Sequence, residues 1–507
     1  MTATATSPPA SPRHARASPS LGATATVVIL ASIMSVLDVT IVNVAFNQLA
    51  TVFDASLATI AWAGIGYTLA LATVIPVTGW AIGRFGTRRL YLTAIALFAA
   101  GSLLAGCAWD TGSLIAFRVV QGLGGGMLMP VGMTILMRAA GREAMGRTMA
   151  LMGIPVLVGP LAGPVLGGWL IDEYSWRWIF WVNLPVGALA LLLAYRTLDA
   201  GSERVARRLD VPGLAMLSPG LAALIYGLAT GGDDADFTSP GVLVPVVGGV
   251  LLIAGFVIRA RRTEHPLIDL GLLRHRSFAV PALTLAAFNA SYFGSMMLGP
   301  LFWQLARGHT ATEAGLLGIP QVLATGISMQ LAGRLVDRVP PGRVVLAGVT
   351  TATVGFLLMA TQIQADSPYW AIAVASVVMG IGVGATIMPA ITASSRSLPP
   401  AQIPGASTAI NIVQQVAASA GGAAISVLLT RELTEKLSAA ASGTGERGLG
   451  AVRHLSPAAL EAAASPLAGA FRGAYFWAVA LMAVALVPAL LLPRRRPAAT
   501  TVDSVRS

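Results

Sequence analysis

The 507-residue chain is 55% hydrophobic and only 11% charged, with a mean hydropathy of +0.74. Soluble domains carry about 25% charged residues, so a water-soluble enzyme or binding domain is excluded as the bulk of the chain. The net charge of +11 and pI near 10.7 would suit nucleic acid, but the basic residues gather on one side of successive apolar runs. That is the positive-inside pattern of a membrane protein, and nucleic-acid binding is excluded with it.

Residues 1–20, rich in Pro, Ser, Ala and Arg, read as a disordered cytoplasmic tail. Fourteen apolar stretches follow, each long enough to cross a bilayer whose core of about 30 Å takes about 20 helical residues. They are expected near 24–46, 58–80, 90–108, 113–135, 148–171, 178–195, 211–230, 241–258, 279–301, 313–333, 344–363, 369–391, 405–430 and 473–493. The first run is longer than a signal-peptide core and contains Asp38, so it is read as a retained helix. Both termini are expected in the cytoplasm, with Asp233, Asp234 and Asp236 on the outer side.

The chain repeats itself. Gly79-Trp80-Ala81-Ile82-Gly83-Arg84 closes the second span, and Gly333-Arg334-Leu335-Val336-Asp337-Arg338 closes the tenth. Gly122, Gly124 and Gly126 precede Met129-Pro130 in the fourth span, as Gly380, Gly382 and Gly384 precede Met388-Pro389 in the twelfth. The expected fold is therefore all-α and integral to the membrane, two six-helix halves over 21–200 and 275–496. A linker over 201–274 holds two extra spans, an outer loop covers 431–472, and a cytoplasmic tail covers 497–507. Such repeats place the substrate site at the interface between halves, near the midplane.

Chemistry is confined to few residues. Asp38 is the one acid well inside an expected span, and Arg118 the one base. A charge at a helix centre costs about 2.5–3.5 kcal/mol on insertion scales, so it faces the bundle interior or water. A carboxylate whose surroundings alternate suits proton coupling; a structural cap or interhelical bond is the other reading. Arg118 stays protonated and either tunes Asp38 or braces helices. Gly159, Gly163 and Gly167 form one smooth face of the fifth span, with Pro160 and Pro164 favouring a kink. Polar or aromatic residues within spans are candidate substrate contacts: Trp62, Tyr67, Gln121, Asn289, Tyr292, Phe293, Gln304, Gln321, Asn411 and Gln415. Aromatic faces suit lipophilic or cationic ligands. The glycines at 122–126 lack the preceding strand of a dinucleotide site. Cys107 is the one cysteine, and the histidines (His14, His265, His275, His309, His454) fall in tails or loops. No metal or cofactor site is expected, and no enzyme.

At these residues the chain resembles the fourteen-helix drug/proton antiporter family of the major facilitator superfamily, the multidrug-resistance exporter type. The similarity covers about residues 24–493. Leu37-Asp38-Val39-Thr40-Ile41-Val42-Asn43-Val44-Ala45 resembles the first-helix signature, with Phe46-Asn47 where Leu-Pro usually follows. Arg118-Val119-Val120-Gln121-Gly122 is similar to the superfamily's fourth-helix element. Gly159, Gly163, Pro164, Gly167 and Gly168 resemble the antiporter signature of the fifth helix, and Trp176-Arg177-Trp178-Ile179-Phe180 with Asn183 and Pro185 is a further family-like run. Two departures stand out: Gly83 replaces the acid that latches the cytoplasmic side in related proteins, a role open to Asp337, and Gln414-Gln415 stands where Arg-Gln is frequent.

The resemblance implies proton coupling at Asp38 and Arg118. It implies conformational or gating roles for Gly79, Arg84, Gly86, Arg88, Asp337 and Arg338, and a bend of the fifth helix at the interface of the halves. The expected protein is a proton-coupled exporter of small amphipathic, lipophilic compounds. It would act as a monomer among membrane lipids of a bacterial cytoplasmic membrane, with the proton gradient and no cofactor as its energy source. The alternatives are a proton-coupled uptake carrier of the same fold and, last, a membrane-embedded enzyme.

Overall fold

The computed structural model describes residues 21–55, 57–140, 148, 150–198, 209–234, 237–264, 266–396, 398–399, 402–437 and 463–492. The expected tails, the arginines at 204–208, Asp236 and the histidines at 14, 265 and 454 lie outside them. The amino-terminal half contains α1 (Leu21–Val52), α2 (Leu57–Phe85), α3 (Thr87–Gly106), α4 (Thr111–Ala140), α5 (Gly153–Glu173), α6 (Trp178–Trp181) and α7 (Asn183–Thr197). The extra pair is α8 (Val211–Asp234) and α9 (Pro240–Ala260). The carboxy-terminal half contains α10 (Arg276–Ser295), α11 (Leu298–Leu301), α12 (Ala311–Leu317), α13 (Ile319–Arg338), α14 (Pro341–Gln362), α15 (Tyr369–Gly384), α16 (Ile387–Ser395), α17 (Ile403–Leu437) and α18 (Ala464–Leu490). No strand occurs among the described residues. A bilayer leaves backbone groups no water, so each apolar run satisfies its own carbonyls as a helix.

Twelve of the described helical segments are long and apolar enough to cross a membrane. The helices of the other two expected spans, α5 and α10, are 21 and 20 residues long. They pack within the bundle, α5 on α1 and α13, α10 on α17 and α18. The twelfth span is broken at Ala385-Thr386 between α15 and α16. Pro389 follows, and proline has no N–H to offer the Ala385 carbonyl one turn back. The ninth span loosens beyond Ser295 into α11 and a π turn at Phe302–Ala306.

The outer loop expected over 431–472 is shorter than that at both ends. α17 continues to Leu437 and α18 begins at Ala464. Leu433, Leu437, Leu467 and Phe471 are buried, and Arg431–Glu435 and Lys436–Glu432 pair one turn apart at 3.0 and 2.8 Å. Charges spaced i, i+4 extend a helix into water; read one by one along the sequence, they resemble loop.

The internal repeat extends to packing. On α4, Gly122 and Gly126 press on α2 at Tyr67 and Leu71, and Gly124 presses on Phe98 of α3. On α15, Gly380 and Gly384 press on α13 at Gln321 and Thr325, and Gly382 presses on Ala352 of α14. In each half, three alternating glycines let one helix approach two others closely.

Successive spans cross the bundle in alternating directions, so it has a near face, where α1 begins, and a far face. Side chains join the two halves toward the near face. Thr78 of α2 lies 3.0 Å from Thr408 of α17, and Ser407 donates to the Pro130 carbonyl of α4 at 3.0 Å. Gln330 of α13 donates to the Ala150 carbonyl at 2.9 Å.

Candidate functional site

Asp38 lies eighteen residues into α1 and is wholly buried. Its Oδ2 accepts from Arg118 Nη1 at 2.5 Å, and its Oδ1 accepts from Gln121 Nε2 at 2.7 Å and Asn183 Nδ2 at 3.0 Å. Arg118 and Gln121 are three residues apart on α4 and so share a face; Arg118 Nη1 also donates to Gln121 Oε1 at 2.7 Å. Ser102 of α3 accepts from both amides, at 3.0 Å from Gln121 and 2.9 Å from Asn183, and donates to the Phe180 carbonyl. Arg118 Nε donates to the Ala63 carbonyl of α2 at 3.3 Å. Its guanidinium carbon sits 4.3 Å from the Tyr67 ring centre, and the Tyr67 hydroxyl is 3.3 Å from Ser35 Oγ.

α3 draws this network together because it carries glycines where its neighbours must come close. A Cβ at Gly101 would collide with the Gln121 backbone, and one at Gly106 with the Trp181 ring. With those β-carbons absent, α3 lies against α4 and against the α6 turn, which delivers Gln121, Phe180 and Asn183 to the same point. The arrangement holds a buried ion pair with every carboxylate oxygen bonded. Removing one member of such a pair leaves an uncompensated charge. The ion pair is thereby tied to the packing of α1, α2, α3, α4 and α7.

Two expected substrate contacts lie in this network. Tyr67 and Gln121 are buried beside Asp38 and Arg118. Asn183 and Ser102, neither named as a site residue from sequence, complete it. Asn183 stood in a quoted motif, and its signal was an amide inside an apolar run; Ser102 gave no signal. Among the remaining candidates, Asn289 on α10 is fully buried, and neither of its amide atoms has a hydrogen-bond partner. Tyr292, one turn on, lies near Gln321 of α13 and is stacked on Phe288. Phe293 is partly exposed beside it. Gln304 lies in the π turn. Asn411 bonds the Ser407 carbonyl of its own helix, and Gln415 faces a gap between α2, α8 and α17. Trp62 stacks on Tyr226 of the extra helix α8.

The fifth-span face also differs from expectation. A Cβ at Gly159 would meet Val36, one at Gly163 would meet Thr40, and one at Gly167 would touch Ile41, all on α1. Thr40 Oγ1 donates to the Gly159 carbonyl at 3.0 Å. The smooth face therefore packs within its own half, because α1 supplies the complementary small and β-branched residues. It is Gly153, at the start of α5, that approaches Met329 of the other half. A Cβ at Gly168 would meet nothing, and the Pro164 side chain lies outside the described ones.

Gly79 brings α2 against Thr408 and Gly405 of α17. Gly86, at φ 83°, makes the turn between α2 and α3 in a region that L side chains rarely enter. Arg88 donates to the Tyr195 carbonyl at 2.6 Å and lies over its ring, while Arg84 and Arg338 are exposed at the near face. Asp337 is half-buried beside Val336, whose carbonyl accepts from Arg396 at 3.2 Å. No cluster of metal-ligating residues occurs among the described residues.

Residues 28–422 match the Major Facilitator Superfamily. The chain is 40% identical over 486 residues to a "Multidrug resistance protein B homolog" of Mycobacterium tuberculosis, covering 93% of this chain and 90% of that one. It is 32% identical to the multidrug export protein EmrB of Escherichia coli over 77% of each chain. Among solved structures, the human organic anion transporter MFSD10 superposes with a TM-score of 0.61 at 15% identity, covering 93% of this chain and 100% of that one. The proton:xylose symporter XylE superposes with a TM-score of 0.58 at 14% identity over 92% and 94%. A fold of two packed six-helix repeats and a match across most of its length place the chain in the major facilitator superfamily.

Proposed function

We propose that the protein is a proton-coupled exporter of small amphipathic, lipophilic compounds that works by alternating access. The buried Asp38–Arg118 pair carries this reading, and the names of relatives such as EmrB and the Mycobacterium tuberculosis protein support export of multiple drugs. The near face is cytoplasmic in this reading, in a bacterial cytoplasmic membrane with both termini inside. The protein works as a monomer, without cofactor or enzymatic chemistry.

With the near face sealed, a proton from the far side reaches Asp38 and neutralises it. Arg118 then keeps its charge without its anion, and the helices that hold it repack. The halves rock open toward the cytoplasm, the proton leaves there, and the ion pair re-forms as substrate occupies the cavity between halves. Asn289, Tyr292 and Gln321 offer that substrate amide and hydroxyl groups beside aromatic faces. One proton crossing about 100 mV and about one pH unit supplies about 3.7 kcal/mol, which sustains roughly a 500-fold gradient of a neutral compound. A single carboxylate is therefore sufficient.

The test is a proteoliposome with an imposed pH gradient, comparing wild type with Asp38→Asn on a panel of lipophilic dyes and antibiotics. Gradient-driven efflux by wild type, lost in a folded mutant, is expected. A mutant that remains fully coupled would place the proton site elsewhere. Inward, concentrative transport by wild type would make it an uptake carrier.

A further inference from the structure

The two helices between the halves have no counterpart in the repeat, and their packing is lopsided. α8 runs in the seam between α2 and α17 and packs on both. Its contact with α2 is directional. Ser218 Oγ donates to the Thr73 carbonyl at 2.6 Å, and Tyr226 stacks on Trp62 with ring centres 5.6 Å apart, so the two helices are fastened at two heights.

The contact of α8 with α17 is of another kind. Leu217 and Leu221 lie against Ala409, Ile412 and Val416, an apolar surface that leaves a narrow gap between Ile75, Ile225 and Ile412. No hydrogen bond between α8 and α17 occurs among the described residues. In a bilayer, apolar contact between helices has little advantage over contact with lipid, and directional bonds and close packing hold helices together.

α9 completes the unit. Gly249 of α9 presses on the Leu224 backbone, and Gly220 of α8 comes close to Leu252 and Ile253. Asp210, just before α8, accepts from Arg259 of α9 at 2.9 Å. The outer surface of α9 exposes Val244, Val247, Val250 and Leu251, a lipid-facing wall. On the opposite side of the bundle α5 and α13 meet directly, and among the described residues no extra helix bridges them.

We propose that α8 and α9 are a sealing plate that travels with the amino-terminal half. The plate is fastened to α2 and slides on α17, closing the bilayer off from the substrate cavity along that seam while the halves rock. The inference rests on the alternating-access reading above.

The experiment is chemical cross-linking in a Cys107→Ser background, since Cys107 is the one native cysteine. Three cysteine pairs are joined by a short bis-methanethiosulfonate in proteoliposomes: Thr73→Cys/Ser218→Cys between α2 and α8, Leu221→Cys/Ile412→Cys between α8 and α17, and Thr78→Cys/Thr408→Cys directly between the halves. Efflux is measured before cross-linking, after it, and after reduction, so that folding damage is told apart from locking. Rigid-body rocking predicts that the α2–α8 link leaves efflux within about twofold, whereas the other two links lower it at least about tenfold, reversibly. Arrest by the α2–α8 link, or efflux that survives the α8–α17 link, overturns the proposal alone. Efflux that survives the Thr78–Thr408 link overturns alternating access at this seam, and the plate with it.

Discussion

Replacing Asp38 by asparagine tests the ion pair with nearly constant shape. In the native network one carboxylate oxygen accepts from Arg118 and the other from the amides of Gln121 and Asn183. Asparagine puts an NH2 in one of those places, so a donor meets a donor, and the guanidinium loses its counter-charge. Neither side chain of the pair is more than 1% exposed, so water does not make up the difference. Breaking a buried pair by removing one partner costs about 3–5 kcal/mol. The double variant Asp38→Asn/Arg118→Gln removes both charges and recovers about 2–4 kcal/mol of that loss. Thermal stability of purified protein, followed by fluorescence-detected gel filtration, reads both quantities; pH-driven efflux in proteoliposomes reads coupling. The single variant is expected to be the least stable of the three, the double variant to approach wild type, and neither variant to couple. Wild-type stability in Asp38→Asn, or wild-type coupling in the double variant, would refute the argument.

Three other expectations follow from the same geometry. Ser102→Ala removes the second acceptor of Gln121 and Asn183 and the donor to the Phe180 carbonyl; it should cost about 1–3 kcal/mol of stability yet leave gradient-driven efflux in place, which the same two assays check. Gly163→Ala drives a methyl into Thr40 and should cost about 1–3 kcal/mol, whereas Gly168→Ala, facing open space, should stay within about 0.5 kcal/mol; equal melting temperatures for the two would contradict the α1–α5 packing. With a single proton exchanged, each extra positive charge exported against 100 mV lowers the attainable gradient about 50-fold, so a dication should accumulate outside far less than its monocationic analogue, as measured with radiolabelled pairs at fixed potential.

Much of this was legible in the sequence because a bilayer leaves so few alternatives. Long apolar runs had to be helices, and the paired Gly-rich motifs at 122–126 and 380–384 announced two related halves whose glycines do serve equivalent contacts. Asp38 and Arg118 stood out because charge inside a span is costly. What the sequence withheld was facing. Tyr67 and Gln121 look like cavity residues until α1, α3 and α7 surround them, since helical periodicity gives a face but not the neighbour that covers it. The α5 glycines were a smooth face without an address; α1 is the address because Val36, Thr40 and Ile41 come up against them in turn. Uncharged polar residues such as Ser102 and Asn183 are common in membrane helices, so only three-dimensional convergence distinguishes them.

The Asp38–Arg118 pair lies wholly within one half, while the contacts between the halves lie near the other end of the same helices. α4 carries Arg118 and Gln121 toward its start and, twelve residues on, the Pro130 carbonyl that accepts from Ser407 of the opposite half. Twelve helical residues span about 18 Å. α2 carries Tyr67 beneath the arginine and, eleven residues on, Thr78 against Thr408. The two helices are pressed together by Gly122 and Gly126, so they move as one body. A shift of Arg118, if Asp38 is neutralised as proposed, therefore has a rigid route to two of the contacts that join the halves at the near face. Lengthening that route without touching either end tests the link. Gly126→Val forces α4 away from Leu71 and Val74, and overpacking of this kind costs about 1–3 kcal/mol. The protein should still bind substrate, measured by fluorescence quenching, and should lose efflux. Retention of both would mean that protonation reaches the near face by another path.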